Sequence, residues 1–364
     1  MSYLPVFLYC PMNIDQTTTK VASFDFFVQW HLTEKCNLAC THCYQEGRAI
    51  REMALPGIKR TVRHLADTIQ LWSDTYEIPF TASANITGGE PFLRKDLPMI
   101  LKELTENHFN VSVLTNGTLI DRTKVRMLAD LPVKGVQVSL EGPEAIHEEI
   151  RGKRSFSSAM KGVELLLESG ITVTLNVTLS EINVDYFREI VAVATGLGVQ
   201  RLGFSRLVPY GRGFGLISRM LSKERVRAAY EEITSTKVSG LDIVTGDPVA
   251  AQLGDDEETD DDGDAFPVGG CAAGVSGITL LPDGTISPCR RMGISIGNIL
   301  NDSLREVWAT SPVLGALRDR NSYKGKCRTC KRWSDCRGCR AIAYAYSLSR
   351  GRSDFLEEDP QCFI

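Results

Sequence analysis

Two hydrophobic periods alternate along the chain between residues 24 and 245. Short apolar runs rich in β-branched and aromatic residues give way to longer stretches whose apolar side chains return every three or four positions. This pattern of repeated strand–helix units on a parallel sheet defines an α/β fold. Phe24 to Leu32 reads as a buried strand, followed by strands at Thr81–Thr87, Val111–Thr115, Gly135–Leu140, Val173–Thr178 and Arg201–Leu207. Helical spacing marks Leu55–Trp72, Leu97–Glu106, a helix capped by Asp121 and reaching Leu131, Ser155–Ser169, Tyr186–Thr195 and Lys223–Thr234. The pattern then changes: residues 255–264 hold eight acids in ten positions, as in a solvated linker. Beyond it, Gly277–Leu281 and Thr285–Ser287 flank the turn Pro282-Asp283-Gly284, a hairpin signal, and Leu304–Trp308 follows as a helix. The expected organisation is therefore an N-terminal extension (1–23), an α/β domain (24–245), an acidic linker (246–268) and a cysteine-rich C-terminal domain (269–364).

Composition narrows the class. The chain has 364 residues, 43% hydrophobic and 24% charged, enough for one full α/β domain and a smaller one. No apolar run is long enough to cross a membrane, and Met1–Cys10 lacks a basic leader and a small-residue cleavage site, so a cytoplasmic location is expected. A net charge of −4 gives no general attraction to nucleic acid or to an anionic membrane. Eleven cysteines without an export signal point to metal ligands rather than disulfides. Three lie between residues 36 and 43, none between Cys43 and Cys271, and seven in the last quarter; Cys10 reads as a small packed residue.

Cys36, Cys40 and Cys43 are spaced C-x3-C-x2-C in the loop that follows the first strand. Three thiolates at this spacing can hold three corners of a [4Fe–4S] cube and leave one iron open, whereas zinc prefers four closed ligands. Other strand ends carry candidate ligand-binding residues. Thr87-Gly88-Gly89-Glu90-Pro91 ends the second strand, where paired glycines allow close backbone approach and Glu90 offers an acceptor; a tight turn is the bland alternative. Asn116-Gly117 ends the third strand and Ser139-Leu140-Glu141-Gly142 the fourth, followed by His147-Glu148-Glu149-Ile150-Arg151-Gly152. Asn176 and Arg206 lie near later strand ends, as ligand contacts or as structural hydrogen-bonding residues.

The loop Thr33–Tyr44, with the aromatic His42 directly before its third cysteine, resembles the cluster-binding loop of the radical S-adenosylmethionine (radical SAM) superfamily. The resemblance implies a partial (β/α)6 TIM-like barrel. It also implies that the open iron binds the amino and carboxylate groups of SAM, and that the reduced cluster cleaves SAM to methionine and a 5′-deoxyadenosyl radical. Gly88-Gly89-Glu90 is similar to the superfamily's GGE motif for the SAM amino group. Ser139 and the residues after it resemble S-L-D-G…H-x3-R-G, near the SAM ribose and carboxylate, with Glu141 in place of the usual Asp. His42, Asn116, Asn176 and Arg206 complete the expected SAM contacts.

The C-terminal cysteines, Cys271-x12-Gly284-x4-Cys289, Cys327-x2-Cys330-x5-Cys336-x2-Cys339 and Cys362, resemble the SPASM domain of radical SAM enzymes. Four cysteines in thirteen residues could hold a zinc, but seven beside a cluster loop fit two auxiliary [4Fe–4S] clusters better. Crossed ligation in the family implies Cys271, Cys289 and Cys339 on the nearer cluster and Cys327, Cys330, Cys336 and Cys362 on the farther. The x2 before Cys339 departs from the commoner x3. The resemblance spans about residues 24–364 and implies a peptide or protein substrate, to be crosslinked, given a thioether or epimerised. It also implies a flavodoxin- or ferredoxin-type reductant. The residues before the first strand are too few for a leader-binding domain, so a separate recognition protein or direct docking on the SPASM surface is expected. The ending Cys336-Arg337-Gly338-Cys339…Cys362 also looks like that of enzymes trimming tetrapyrrole side chains in heme d1 and alternative heme synthesis. A non-catalytic electron carrier is the third reading, but it needs no SAM pocket. No general acid or base can be assigned from sequence order.

Overall fold

The computed structural model describes residues 12–14, 21–47, 50–254, 267 and 269–364. Cys10 and the acidic run 255–264 lie outside them. Among the described residues eleven strands form one sheet: β1 (Met12–Ile14), β2 (Val21–His31), β3 (Phe80–Thr87), β4 (Asn110–Thr115), β5 (Gly135–Ser139), β6 (Val173–Leu179), β7 (Arg201–Arg206), β8 (Asp242–Thr245), β9 (Gly277–Leu280), β10 (Thr285–Ser287) and β11 (Gly297–Asn298). From β2 to β8 neighbouring strands are parallel and in sequence order, as consecutive right-handed βα units require. The helices between them are α1 (Leu55–Tyr76), α2 (Leu97–Glu106), α3 (Arg122–Ala129), α4 (Glu144–Arg151), α5 (Ser155–Glu168), α6 (Phe187–Leu197) and α7 (Lys223–Ser235). Asp121 caps α3 by accepting from the Lys124 N–H.

β8 is one strand more than the six expected, on a segment of four residues whose sequence carries little periodicity. The C-terminal part is not a detached body either. β9 pairs parallel with β2, and Gly277 makes this possible, because a Cβ there would lie 2.0 Å from the Phe27 carbonyl oxygen. α8 (Leu304–Thr310), α9 (Pro312–Arg318), α10 (Lys326–Thr329) and α11 (Arg340–Ser349) follow. Trp308 of α8 packs edge-on against Phe26 of β2 at 5.1 Å, and Phe26 against Trp72 of α1 at 5.0 Å.

Residues 246–254, expected in the linker, are packed instead. Pro248–Leu253 form a short 3-10 helix with Val249, Ala250 and Ala251 buried. Its cap, Asp247, belongs to a buried ion network. Arg206 at the end of β7 donates two hydrogen bonds of 2.8 Å to Asp247, two of 2.8 and 3.0 Å to Asp359, and one of 2.9 Å to Gln361. The guanidinium is 1% exposed, so both carboxylates are needed to offset its loss of water.

The barrel strands show a second pattern that fixes their faces. Val111, Val113, Val136, Val138, Val173, Leu175 and Val177 are buried in the main apolar core, while Asn85, Ser112, Gln137 and Asn176 line cavities within the sheet's curve. The core thus lies between sheet and helices, and the bore is polar, unlike the aliphatic layers that fill a closed eightfold barrel.

Removing one partner of the buried knot tests whether it joins barrel and C-terminal tail. Asp359→Ala leaves a buried arginine undercompensated and is expected to lower unfolding stability by about 3–5 kcal/mol. Anaerobic urea denaturation reads this; a midpoint equal to wild type would show that Arg206 finds equivalent partners without the tail.

Candidate active site

The cysteine loop has little regular structure and is held by its neighbours. Leu32 N–H donates to Thr87 O at 2.9 Å, Gly89 N–H to Thr33 O at 2.7 Å, and Glu90 N–H to Lys35 O at 2.8 Å. These bonds need Gly-Gly: a Cβ on Gly88 would lie 2.5 Å from Thr33 O, and one on Gly89 2.2 Å from Lys35 O. On other sides Thr41 N–H donates to Ile150 O of α4 at 2.9 Å, and Gly213 N–H to Cys43 O at 2.8 Å.

Cys36, Cys40 and Cys43 are free thiols that line one cavity of about 280 Å³ at the C-terminal ends of the strands. Among the described residues no group of three or more His, Cys, Asp or Glu side chains is gathered for a single metal ion. Donors reach the sulfurs: Leu38 N–H to Cys36 Sγ at 3.4 Å, Asn116 Nδ2 to Cys36 Sγ at 3.8 Å and Arg151 Nη1 to Cys40 Sγ at 3.8 Å. Three thiols around a cavity, with N–H groups aimed at sulfur, fit the donor set of a three-cysteine cluster.

Gly88, Gly89, His42, Asn116, Ser139, Asn176 and Arg206 all line this cavity, brought together from five strand ends and the loop. Their roles differ from those the resemblance implies in two cases. Glu90 is fully buried behind the wall, where its carboxylate accepts from Thr115 Oγ1 at 2.8 Å, Asn116 N–H at 2.9 Å and Phe92 N–H at 3.2 Å. It braces the end of β4 rather than facing the cavity, and burial pushes its carboxyl up to about 7 against these hydrogen bonds. Arg206 reaches the wall with its guanidinium already held by Asp247, Asp359 and Gln361. Asn116 both lines the cavity and clamps the loop, donating to Asn37 Oδ1 at 3.0 Å.

Glu141, to which sequence reading gave no role, organises one wall. It is fully buried and accepts from Arg151 Nε at 2.9 Å, with His42 Nε2 3.3 Å away and Thr178 N–H donating at 2.9 Å. Burial opposes its ionisation, but Arg151 and His42 outweigh it and hold the carboxyl down at about 2. Arg151, part of the H-x3-R-G stretch, is thereby aimed at Cys40. Arg212, Arg290 and Arg291 also reach the wall; the last two directly follow Cys289, the one local hint of their place.

The remaining cysteines fall into two groups. Cys271, Cys289 and Cys339 line a second cavity of about 450 Å³, whose wall shares Arg290 and Arg291 with the first. Cys327, Cys330, Cys336 and Cys362 line a third of about 300 Å³, where Gln252 Nε2 lies 3.4 Å from Cys336 Sγ and 3.5 Å from Cys362 Sγ. Burial pushes the thiols of Cys336 and Cys339 up to about 12, so at neutral pH they ionise only when a cation takes the thiolate. This donor chemistry suits metal clusters, and the grouping is the one that crossed ligation implies.

Residues 30–194 match the radical SAM superfamily and residues 271–331 the SPASM iron–sulfur cluster-binding domain. The chain is 30% identical over 343 residues to the mycofactocin maturase MftC of Mycolicibacterium smegmatis, covering 92% of this chain and 81% of that one. It is 27% identical over 369 residues to the AdoMet-dependent heme synthase of Oleidesulfovibrio alaskensis, covering 96% and 90%. Among solved structures it resembles Streptococcus suis SuiB bound to precursor peptide SuiA, with a TM-score of 0.72, 19% identity, and coverage of 94% of this chain and 77% of that one. The chain belongs to the radical SAM superfamily. More particularly, it is a radical SAM enzyme with a C-terminal SPASM domain, using S-adenosylmethionine, a [4Fe–4S] cluster and auxiliary iron–sulfur clusters. Among the described residues no helix is long and apolar enough to cross a membrane.

Anaerobic reconstitution is expected to give about twelve irons per chain, and replacing Cys36, Cys40 and Cys43 together by Ala to remove about four of them. Any one of these replacements should abolish 5′-deoxyadenosine formation from SAM, read by chromatography; wild-type rates, or zinc in place of iron at the C-terminal cysteines, would refute the assignment. Glu90→Ala leaves three buried donors without their acceptor and should cost about 1–3 kcal/mol of stability. A loss of SAM affinity with unchanged unfolding would instead make Glu90 a ligand contact.

Proposed function

We propose that the enzyme modifies a residue of a ribosomally made peptide, abstracting a hydrogen and leaving a crosslink, a thioether or an inverted stereocentre. The observation that carries this reading is the polar chamber beside the cysteine loop. Gln137, Thr178 and Ser205, from three successive strands, present hydrogen-bonding side chains to it beside the Ser139 and Asn176 implied for SAM. A peptide backbone placed there finds donors and acceptors for its amides, which an apolar bore would leave unpaired. When bound, S-adenosylmethionine supplies the 5′-deoxyadenosyl radical that abstracts the hydrogen. The chain's own part is to fix the loop through Gly88, Gly89 and Asn116, to hold Arg151 at Cys40 through Glu141, and to shape the chamber. The likeness to MftC and to SuiB, a protein solved with its precursor peptide, supports the peptide class. A flavodoxin- or ferredoxin-type reductant, a separate leader-recognition protein and a cytoplasmic location belong to the same proposal.

A second reading, modification of a tetrapyrrole's carboxylic side chains, is favoured by the likeness to AdoMet-dependent heme synthases along almost the full chain. The two are separated by incubating reconstituted enzyme, SAM and reductant with each short peptide encoded beside the gene and, in parallel, with didecarboxysiroheme. Loss of two hydrogens from a peptide, by mass spectrometry, indicates a crosslink. Unchanged mass with deuterium taken from solvent indicates epimerisation. Side-chain mass lost from the tetrapyrrole while every peptide stays intact would replace the first reading by the second.

A further inference from the structure

The two chambers that hold Cys36, Cys40 and Cys43 on one side and Cys271, Cys289 and Cys339 on the other meet at Arg290 and Arg291. Neither arginine forms an ion pair among the described residues, in contrast to Arg151 and Arg206, whose charges are met by Glu141 and by Asp247 and Asp359. Arg290 stacks over the Tyr44 ring with Cζ 5.4 Å from its centroid, which orients the guanidinium without neutralising it. Arg291 lies against the Cys289 thiol, near Cys339 and Asp247, but keeps a buried Nε that has no hydrogen-bond partner among the described residues. Other unmet donors lie on the walls of the two chambers or beside Tyr44. The Nε2 atoms of Gln29, on the second chamber's wall, and of Gln45, on the first's, are buried without partners. His31 at the end of β2 is 1% exposed with both ring nitrogens unpartnered, edge-on to Tyr44 at 5.9 Å. Glu34 is the sole carboxylate among the described residues on either wall.

Buried donors and guanidinium groups without a carboxylate partner facing a cavity are stabilised by an oxygen-bearing anion, and a planar carboxylate matches the arginine fork. The SAM contacts implied at Gly88, Gly89, Asn116, Ser139 and Asn176 come from β3 to β6. The arginines come from the segment after β10, on the side of the sheet where β9 pairs with β2, and line the same chamber.

We propose that Arg290 and Arg291, with Gln29 and Gln45, form a carboxylate receptor that fixes an acidic group of the substrate between the SAM-cleaving centre and the nearer auxiliary centre. This rests on the chamber being the substrate site. The receptor takes a peptide's C-terminal or side-chain carboxylate, or the carboxylic side chain of a tetrapyrrole, by the same chemistry.

Calorimetry on the reconstituted holoenzyme with SAM tests it, using acetyl-Gly-Ala-Gly-Val as the free acid and as its amide, and coproporphyrin III as the free acid and as its tetramethyl ester. The expected result is an acid form bound at least about tenfold more tightly than its neutral partner, with the preference lost in Arg290→Gln and Arg291→Gln and partly kept in Arg290→Lys. Iron content and the electron paramagnetic resonance spectra of the reduced clusters report whether each variant is intact, and the wild-type comparison of acid with neutral probe stands without any variant. Acid preference confined to the peptide, or to the porphyrin, supports the receptor and names its source; the porphyrin alone would set aside the peptide reading. Equal affinity for acid and neutral forms in both pairs overturns the receptor even if a neighbouring peptide is modified. Intact variants that shift the cluster spectra yet keep the acid preference overturn it as well, since the arginines then serve the cluster charge.

Discussion

Backbone hydrogen bonds between the end of β3 and the cysteine loop hold the chemistry in place. A loop without regular structure cannot position three sulfurs by itself, because each free residue carries roughly 1–2 kcal/mol of backbone entropy to be overcome. Here Gly89 and Glu90 donate to Thr33 and Lys35, Ile150 accepts from Thr41, and Cys43 accepts from Gly213, so strand, helix and a later connection all grip the loop. A methyl group at residue 88 or 89 would push the grip apart. The glycines therefore serve the loop's position first, and any cofactor contact through them depends on it. Glu90 extends the same brace by tying β3 to Thr115 and Asn116, and Asn116 reaches back to Asn37.

Charge is distributed with a comparable economy. Arg151 and Arg206 are buried and paired, and each does positioning work: one is aimed by Glu141 at Cys40, the other joins β7 to Asp247 and to the tail through Asp359. Asp359 in turn accepts from the Cys339 backbone N–H at 2.8 Å, so the end of β7, through Arg206, and the backbone of a cysteine of the second chamber share one carboxylate. The distance between the two centres is thus set by packing that includes a buried ion network, where loss of one member is costly. Arg290 and Arg291 have no carboxylate partner in an ion pair among the described residues, and they stand where the chambers meet.

The C-terminal segment is part of the barrel's architecture. β9 continues the sheet beside β2, Trp308 shares an aromatic cluster with Phe26 and Trp72, and residues 247–253 pack where a linker was expected. The seven strands β2 to β8 leave the β2 edge for β9 and a bore lined by amides and hydroxyls. Such a bore can host a polar guest because the apolar core has been placed outside it, against the helices.

Local order was legible in the sequence wherever one period dominated. The six strands from Phe24 to Leu207 and the helices between them stand close to where apolar spacing put them, since burying one face fixes both element and register. The cysteine loop and the strand-end motifs were equally legible, because spacing along the chain sets which thiols can reach one cavity. Even the polar bore was written as alternation in Val111-Ser-Val113 and Val173-Thr-Leu-Asn-Val177, though which face it lined was not. Two features depended on the tertiary structure. Glu90 and Arg206 carry residue types suited to binding, and only their neighbours, Thr115 and Asn116 for one and Asp247 and Asp359 for the other, show those groups already engaged. The meeting of Arg290 and Arg291 with the first loop, across some 250 residues of chain, follows from the pairing of β9 with β2. Long-range pairing of this kind leaves no local trace, because periodicity reports which face of an element is buried and not which partner buries it.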